Sequence, residues 1–230
     1  MTVASNLLRI EERLLEACRR SGRRREDVRL MGVTKFHDRA AAEDAWRAGL
    51  RLFGENRVQE AKGKFDGFRE SHPGTELHLI GSLQRNKAKS AALFFDCIES
   101  VDRDDLITEL GGVCGERELR ILLELHTGEE SKRGFPDEES LLRAAELALS
   151  FPGLKPAGIM TMAPFTTEEA PVRAAFRAAR KARERLEAAF PRSDWSCLSM
   201  GMSGDFEIAV EEGSTLVRIG TVLFGERAPA

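Results

Sequence analysis

The sequence predicts an α/β protein built as a single closed (β/α)8 barrel, with one additional helix at the N-terminus. Short apolar segments alternate with longer segments of helical spacing, a pattern typical of a parallel sheet covered by helices. The chain contains eight such strand–helix units, which suits the small end of the barrel size range. A doubly wound open sheet is the alternative, and one domain over residues 1–230 is the simplest organisation.

The first segment, SNLLRIEERLLEACRR, predicts an amphipathic helix rather than a signal peptide or a membrane-spanning segment. We expect its apolar residues to share one face of the helix. These residues are Leu7, Leu8, Leu14, Leu15 and Cys18. Because this helix precedes the first strand, it is additional to the eight strand–helix units of the barrel.

The predicted strands are short and largely continuous in apolar residues. They cover residues 29–34, 50–55, 77–82, 94–100, 120–125, 156–161, 195–200 and 215–220. Helical patterns cover residues 38–48, 56–70, 85–92, 103–117, 137–150, 167–190 and 204–212. The pattern from residue 167 is the clearest, because Thr167 is a suitable N-cap and Glu168 and Glu169 occupy the first turn.

Composition and charge exclude several functional classes. Apolar residues make up 42% of the chain and charged residues 32%, which is typical of a soluble globular protein. A net charge of −3 gives no general attraction to nucleic acid or to an anionic membrane. The basic cluster at residues 19–25 predicts a solvated helix end, with RNA or an acidic partner as the alternative.

The cysteines and histidines do not form metal-binding patterns. The four cysteines are widely separated, which predicts free thiols in a reducing cytoplasm rather than a disulfide framework or a zinc site. The four histidines have neither HExxH nor HxH spacing, so no metal is expected. No GxGxxG or GxxxxGK[ST] segment follows a strand, so the usual nucleotide-binding loops are missing.

Lys35 follows the first strand at its C-terminal end, where barrels of this type carry their active sites. Because strand side chains alternate in direction, Lys35 shares a face with Val33, and Arg218 shares one with Leu216. The first and last strands of a closed barrel are neighbours, so Lys35 and Arg218 are expected to meet at the mouth. This pair favours an anionic or carbonyl ligand, and a solvated surface lysine is the alternative.

The loops after strands 7 and 8 are rich in glycine and hydroxyl residues, as LSMGMSGD and RIGTVLFG show. Barrels often bind phosphate at this place through loop amides. The candidate donors are Ser199, Gly201, Ser203, Gly204, Gly220 and Thr221. Tight turns are the alternative role of the glycines. An amine beside a phosphate site suggests a phosphorylated carbonyl compound held as a Schiff base, either pyridoxal 5'-phosphate (PLP) or the sugar phosphate of an aldolase.

A set of motifs in this order resembles the pyridoxal-phosphate homeostasis protein family from about residue 5 to residue 227. The motifs are VTKFH, FGENRVQE, LHLIGSLQRNK, ESKRGF, GIMTM and LSMGMSGDFEIAVEEGSTLVRIGTVLFGER. The resemblance implies a fold-type III (β/α)8 barrel like the N-terminal domain of alanine racemase. It also implies that PLP is bound as an internal aldimine on Lys35.

The resemblance further implies roles for individual residues. Asn56 would lie near the cofactor ring, and Arg218 would face the pyridine nitrogen. Ser199, Gly220 and Thr221 would hold the phosphate, while His78, Met200 and Ser203 would line the pocket. The chain departs from the commoner family pattern at Phe36, Arg57 and Ser82, and these departures affect the rim of the pocket.

Two features favour a PLP carrier over an enzyme. Arg218 is always protonated and has no acceptor, so a pyridine nitrogen beside it stays unprotonated and the ring is a weaker electron sink. Alanine racemase would require a second base, a tyrosine from an added β domain, whereas this chain has no tyrosine and ends at Ala230. We expect a monomeric cytoplasmic protein that supplies PLP to apoenzymes, binding neither nucleic acid nor membrane. A racemase with weak, one-base activity of Lys35 is the alternative.

Overall fold

The protein forms a closed barrel of eight parallel strands in sequence order, in a computed structural model that describes residues 2–115, 117–127 and 133–225. The strands are β1 (Arg29–Val33), β2 (Leu52–Glu55), β3 (Glu76–Leu79), β4 (Cys97–Val101), β5 (Leu119–Glu124), β6 (Leu154–Met160), β7 (Cys197–Ser199) and β8 (Leu216–Ile219). Pairing of β1 with β8 closes the sheet, so the predicted (β/α)8 fold is confirmed and the open sheet is wrong. The motif ESKRGF lies partly outside the described residues.

The helices surround the barrel. They are α1 (Val3–Arg20), α2 (Arg39–Arg47), α3 (Val58–Phe65), α4 (Phe68–Ser71), α5 (Ala88–Phe94), α6 (Asp104–Cys114), α7 (Glu138–Leu149), α8 (Glu169–Ala189), α9 (Phe206–Glu211) and α10 (Thr221–Phe224). The single helix predicted over 56–70 is two helices, because Gly67 adopts a left-handed conformation with φ 62° between them. Thr167 is not the N-cap of α8, which begins two residues later at Glu169.

Helix α1 packs across the seam where β8 meets β1, against α9, α10 and α2. Its buried residues are Asn6, Leu7, Ile10, Leu14, Ala17 and Cys18. The predicted apolar face is therefore narrower than expected, because Leu8 is 67% exposed and Leu15 is 38% exposed. The Asn6 side chain donates to the Leu223 carbonyl, 2.9 Å away, and ties α1 to α10.

The core has two layers. The outer layer lies between the strands and the helices and contains large side chains such as Phe53, Phe68 and Phe176. The inner layer lies inside the barrel and includes Met31 and Leu216. Charged side chains lie in the same interior, which sets it apart from a purely apolar barrel core. Among the residues described, no helix combines the length and the apolar character needed to cross a membrane.

Candidate ligand-binding site at the barrel mouth

Lys35 lies in the turn that follows β1, at the C-terminal end of the barrel. The next residue, Phe36, has a φ of 66°, a left-handed conformation that residues other than glycine rarely adopt. Lys35 is half-buried. In the strand register Met31 is opposite Arg218. Lys35 therefore lies beyond the level of Arg218, toward the C-terminal end of the barrel.

A buried ion pair holds the ends of β1 and β2 together. The Lys64 ammonium group on α3 contacts Glu55 Oε1 at 2.6 Å and the Thr34 carbonyl at 2.5 Å. The Thr34 hydroxyl donates to the same Glu55 oxygen at 2.5 Å. Thr34 and Glu55 directly precede Lys35 and Asn56, so this cluster fixes the backbone from which both predicted site residues project.

Arg218 extends into the barrel interior and is 4% exposed. Its Nη1 donates to the Ser199 carbonyl at 2.8 Å and to the Ser199 hydroxyl at 2.7 Å, and its Nη2 donates to the Thr161 carbonyl at 2.9 Å. A guanidinium carries five N–H donors. Among the described residues, none accepts a hydrogen bond from the other two donors of Arg218.

The Ser199 hydroxyl contacts two other side chains inside the barrel. Its hydroxyl is fully buried, accepts from Arg218 and donates to Glu99 Oε2 at 2.5 Å. A hydroxyl has one proton to donate, and that of Ser199 is already used. Strand alternation turns Ser199 into the barrel, so its contact with a phosphate stays a prediction.

His78 lies inside the barrel, and its predicted role in lining the pocket stays a prediction. It is 1% exposed, with Nδ1 at 2.6 Å from Glu99 and Nε2 at 2.7 Å from Glu76. Burial opposes the charged imidazole, but the hydrogen bonds to Glu76 and Glu99 outweigh it and raise the pKa of His78. Burial likewise opposes ionisation of Glu99, but His78, Arg218 and Ser199 lower its pKa below the ordinary value.

Glu124 ends β5 on the strand face that points into the barrel, two residues after the inward-facing Leu122. It is 6% exposed, and among the described residues no side chain donates to its carboxyl. Burial and then the charge of Asp102 raise the pKa of Glu124 from 4.5 to about 7, while Arg218 and Arg133 act in the opposite direction. Near neutral pH this carboxyl therefore exchanges a proton readily.

The loops after β7 and β8 contain the glycines predicted to approach phosphate. Gly201 has a φ of 94°, and a Cβ there would lie 2.5 Å from the Ala209 Cβ on α9. Thr221 is exposed at the first position of α10, and Ser203 is half-buried before α9. Met200 is fully buried in the outer core, because alternation directs its side chain toward the helices, and its place in the pocket stays a prediction.

Asn56 is half-buried after β2 and lines a groove of about 320 Å³ beside the mouth. Arg57, Lys87 and Arg133 also line this groove. The loop after β3 lies against Asn56 so closely that a Cβ at Gly81 would come within 2.3 Å of the Asn56 carbonyl. The groove and the mouth are therefore adjacent, with Asn56 between them.

Sequence reasoning missed the roles of Glu99, Glu76, Glu55 and Lys64. A signal for Lys64 was present, since it lies on the same buried face of α3 as Ala61. The three glutamates occupy apolar strands, where a buried carboxylate requires a partner. The partners of Glu99 lie on β3 and β7, and Glu55 pairs with Lys64 on α3, so these contacts became visible only with the tertiary structure.

Comparisons with known proteins identify a matching family, similar relatives and similar solved structures. The family described as "Alanine racemase, N-terminal domain" matches residues 6–228. The chain is 37% identical over 233 residues to a "Pyridoxal phosphate homeostasis protein" of Aquifex aeolicus, covering 99% of each chain. It is 35% identical to the solved structure of PipY from Synechococcus elongatus PCC7942 with PLP bound, with a TM-score of 0.84 over 97% of this chain and 100% of PipY.

A more distant neighbour shares the fold alone. Alanine racemase of Clostridium difficile 630 is 12% identical, with a TM-score of 0.77 over 100% of this chain and 57% of the racemase. The likeness extends to the barrel and not to the remainder of that enzyme. At this identity it carries no statement about activity.

Proposed function

From the premise that this chain belongs to the pyridoxal phosphate homeostasis protein family, we propose that it binds PLP at the barrel mouth and maintains its intracellular supply. In this role the protein holds PLP reversibly, limits the free aldehyde and supplies apoenzymes in the cytoplasm. The protein acts as a monomeric carrier and not as an enzyme.

The proposal rests on the hydrogen bonding of Arg218. Its guanidinium is anchored by three hydrogen bonds, and two N–H donors remain for a ligand. The pyridine nitrogen of PLP is an acceptor of the kind that such donors require. Lys35 lies in the turn after the neighbouring strand β1, at the C-terminal end of the barrel.

The chain's own residues also fit the other parts of PLP. Backbone amides near Gly201 and Gly220, with the exposed Thr221 hydroxyl, supply donors suited to the phosphate. Asn56 lies at the side of the mouth where it would contact the ring. Lys35 would hold PLP, which would supply an aldehyde suited to Schiff-base formation with the amine and release of one water.

Carrier function follows from what surrounds the proposed ligand. Arg218 donates hydrogen bonds and cannot protonate the pyridine nitrogen, so the electron demand of the ring stays low. The sequence contains no tyrosine that could serve as a second base. Holding and releasing the aldehyde is the chemistry that these residues support.

Substitution of Lys35 tests the proposal. Wild-type protein incubated with PLP should become yellow, and borohydride reduction followed by peptide mass spectrometry should place the added mass on Lys35. Lys35→Ala should lose the visible absorption and the labelled peptide. Lys155→Ala is the control, since Lys155 pairs with Glu118 at the opposite end of the barrel. A colourless wild-type protein, or label on another lysine, would contradict the proposal.

Glu124 favours weak amino-acid racemase activity as the second candidate function. A carboxyl with a pKa of about 7 at the mouth is suited to exchange protons with a bound ligand. The assay is the change in chirality of D- or L-amino acids incubated with PLP-loaded protein. Turnover of about 1 per second or faster, lost in Glu124→Gln, would establish the enzyme in place of the carrier.

A further inference from the structure

A continuous chain of polar side chains crosses the barrel interior from its N-terminal end to its mouth. It begins at Glu76 at the start of β3, passes through His78 and Glu99, and reaches Arg218 through the Ser199 hydroxyl. Four strands contribute, namely β3, β4, β7 and β8. Each link is a hydrogen bond of 2.5 to 2.7 Å.

The charges along this chain alternate. Both ring nitrogens of His78 face carboxylates, which accept hydrogen bonds and do not donate them when ionised. His78 therefore donates from both nitrogens and is an imidazolium, in agreement with its raised pKa. The lowered pKa of Glu99 agrees with an ionised carboxylate, which is fully buried between His78 and the hydroxyl that contacts Arg218.

Packing requirements do not explain this arrangement. Apolar side chains such as Met31, Val33 and Leu52 fill another part of the barrel interior and require no partners. Burying ions costs free energy of solvation, and apolar residues of similar volume are often as stabilising as a buried ion pair. Because this buried ionic chain ends at Arg218, we attribute it to a need to hold the Arg218 side chain in a defined position.

We propose that Glu99 and His78 are positioning residues for Arg218, and that they hold its guanidinium so that its two remaining N–H groups face the ligand. The proposal rests on the function proposed above. Glu99 orients the Ser199 hydroxyl, so that its lone pair is directed at Arg218 Nη1. His78 fixes the other oxygen of the Glu99 carboxylate and maintains its charge.

Without this support Arg218 would keep its two backbone carbonyl partners but lose its third contact. Because the Ser199 hydroxyl could then rotate toward other acceptors, the guanidinium would adopt more than one orientation. A ligand that needs both free donors would bind to only a fraction of these orientations. Its apparent affinity would fall by that fraction.

The test measures PLP affinity and histidine protonation in Glu99→Gln. This variant preserves shape but removes the charge, and we expect about tenfold weaker PLP binding. In an Arg218→Lys background the same change should have little further effect, because Glu99 acts through the arginine. Without PLP, an imidazole NMR titration should show a lower pKa for His78 in Glu99→Gln than in wild type.

Glu212→Gln is the matched control. Glu212 is also a buried carboxylate, but it pairs with Arg173 and Arg177 outside the barrel, so its loss should lower stability and leave PLP affinity unchanged. If Glu99→Gln does not fold, Ser199→Ala replaces it, because removal of the bridging hydroxyl should weaken PLP binding in the same direction.

Three results separate the possible failures. Wild-type protein that binds no PLP contradicts the proposed function. If folded Glu99→Gln binds PLP with the affinity of wild type, the positioning role is overturned and the proposed function is unaffected. The same holds for Ser199→Ala where Glu99→Gln does not fold. The double variant Glu99→Gln/Arg218→Lys gives the third result. If its loss of PLP affinity equals the product of the two single losses, the residues act independently and the positioning role is also overturned.

Discussion

Glu99 and Glu124 both point into the barrel toward Arg218, yet their pKa values are displaced in opposite directions. Hydrogen bonds from His78 and Ser199 stabilise the carboxylate of Glu99 against the cost of burial. Glu124 has no such donors among the described residues and also faces the charge of Asp102. Local hydrogen bonding thus decides which of two buried carboxyls is ionised at neutral pH.

Glu124 should make folding stability depend on pH. Its pKa is raised from 4.5 to about 7 in the folded protein, so the folded state holds a proton that the unfolded state releases. Its contribution is fully present below pH 4.5 and is lost as the pH rises through 7. The shift corresponds to about 3 kcal/mol. Urea unfolding across this range should show a smaller decline for Glu124→Gln than for wild type.

Glu187→Gln is the control for this measurement, because Glu187 is exposed on α8. Its pH profile should match that of wild type. Equal profiles for wild type and Glu124→Gln would show that folding does not raise the pKa of Glu124, which would contradict this prediction.

At the scale of elements, the end of β7 and the start of α9 meet at Gly201. The positive φ and the 2.5 Å approach to Ala209 both require the absence of a side chain there. This close approach lets the loop backbone continue from the barrel wall into the proposed phosphate site.

Gly201→Ala should destabilise the protein by roughly 2 kcal/mol or more, because it combines backbone strain with a steric overlap. The same variant should bind PLP more weakly, since the loop must move away from α9. Thermal unfolding and PLP titration measure the two effects. Gly204→Ala is the control, because a Cβ at Gly204 would meet nothing within 4 Å. An unchanged melting temperature for Gly201→Ala would contradict this account of the loop.

For the whole molecule, α1 stabilises the closure of the barrel. It covers the seam between the first and last strands and contacts α9 and α10, which belong to the opposite end of the sequence. The described fold therefore depends on contacts between residues separated by about the full length of the chain, such as Asn6 and Leu223.

Leu14→Ala should cost 2–5 kcal/mol of unfolding free energy, the usual range for truncating a buried leucine. Leu14 is fully buried in the outer core, whereas Leu8 on the same helix is 67% exposed. Leu8→Ala should therefore change stability by less than about 0.5 kcal/mol. Denaturant unfolding of both variants measures this difference. Equal losses of unfolding free energy in Leu14→Ala and Leu8→Ala would contradict the packing of α1 on the barrel.

Much of the architecture could be read from local pattern. Alternation of apolar strands with helical segments predicted the eight units, because burial on both faces requires continuous apolar strands. Errors occurred where a single residue overrode the pattern, as at Gly67, or where helix packing exposed an apolar residue, as at Leu8. The short helix α10 was missed, since four residues give no periodicity.

The sequence by itself determined the fold, the motifs of the mouth and the choice of Lys35 and Arg218 as candidate site residues, because these depend on residue type and on order along the chain. Tertiary structure alone decided which groups surround Arg218. Strand register and barrel closure bring Glu99 and Ser199, 100 residues apart, within hydrogen-bonding distance. The partners of a buried charge lie on other strands, so its environment is a property of the closed barrel and not of any one segment.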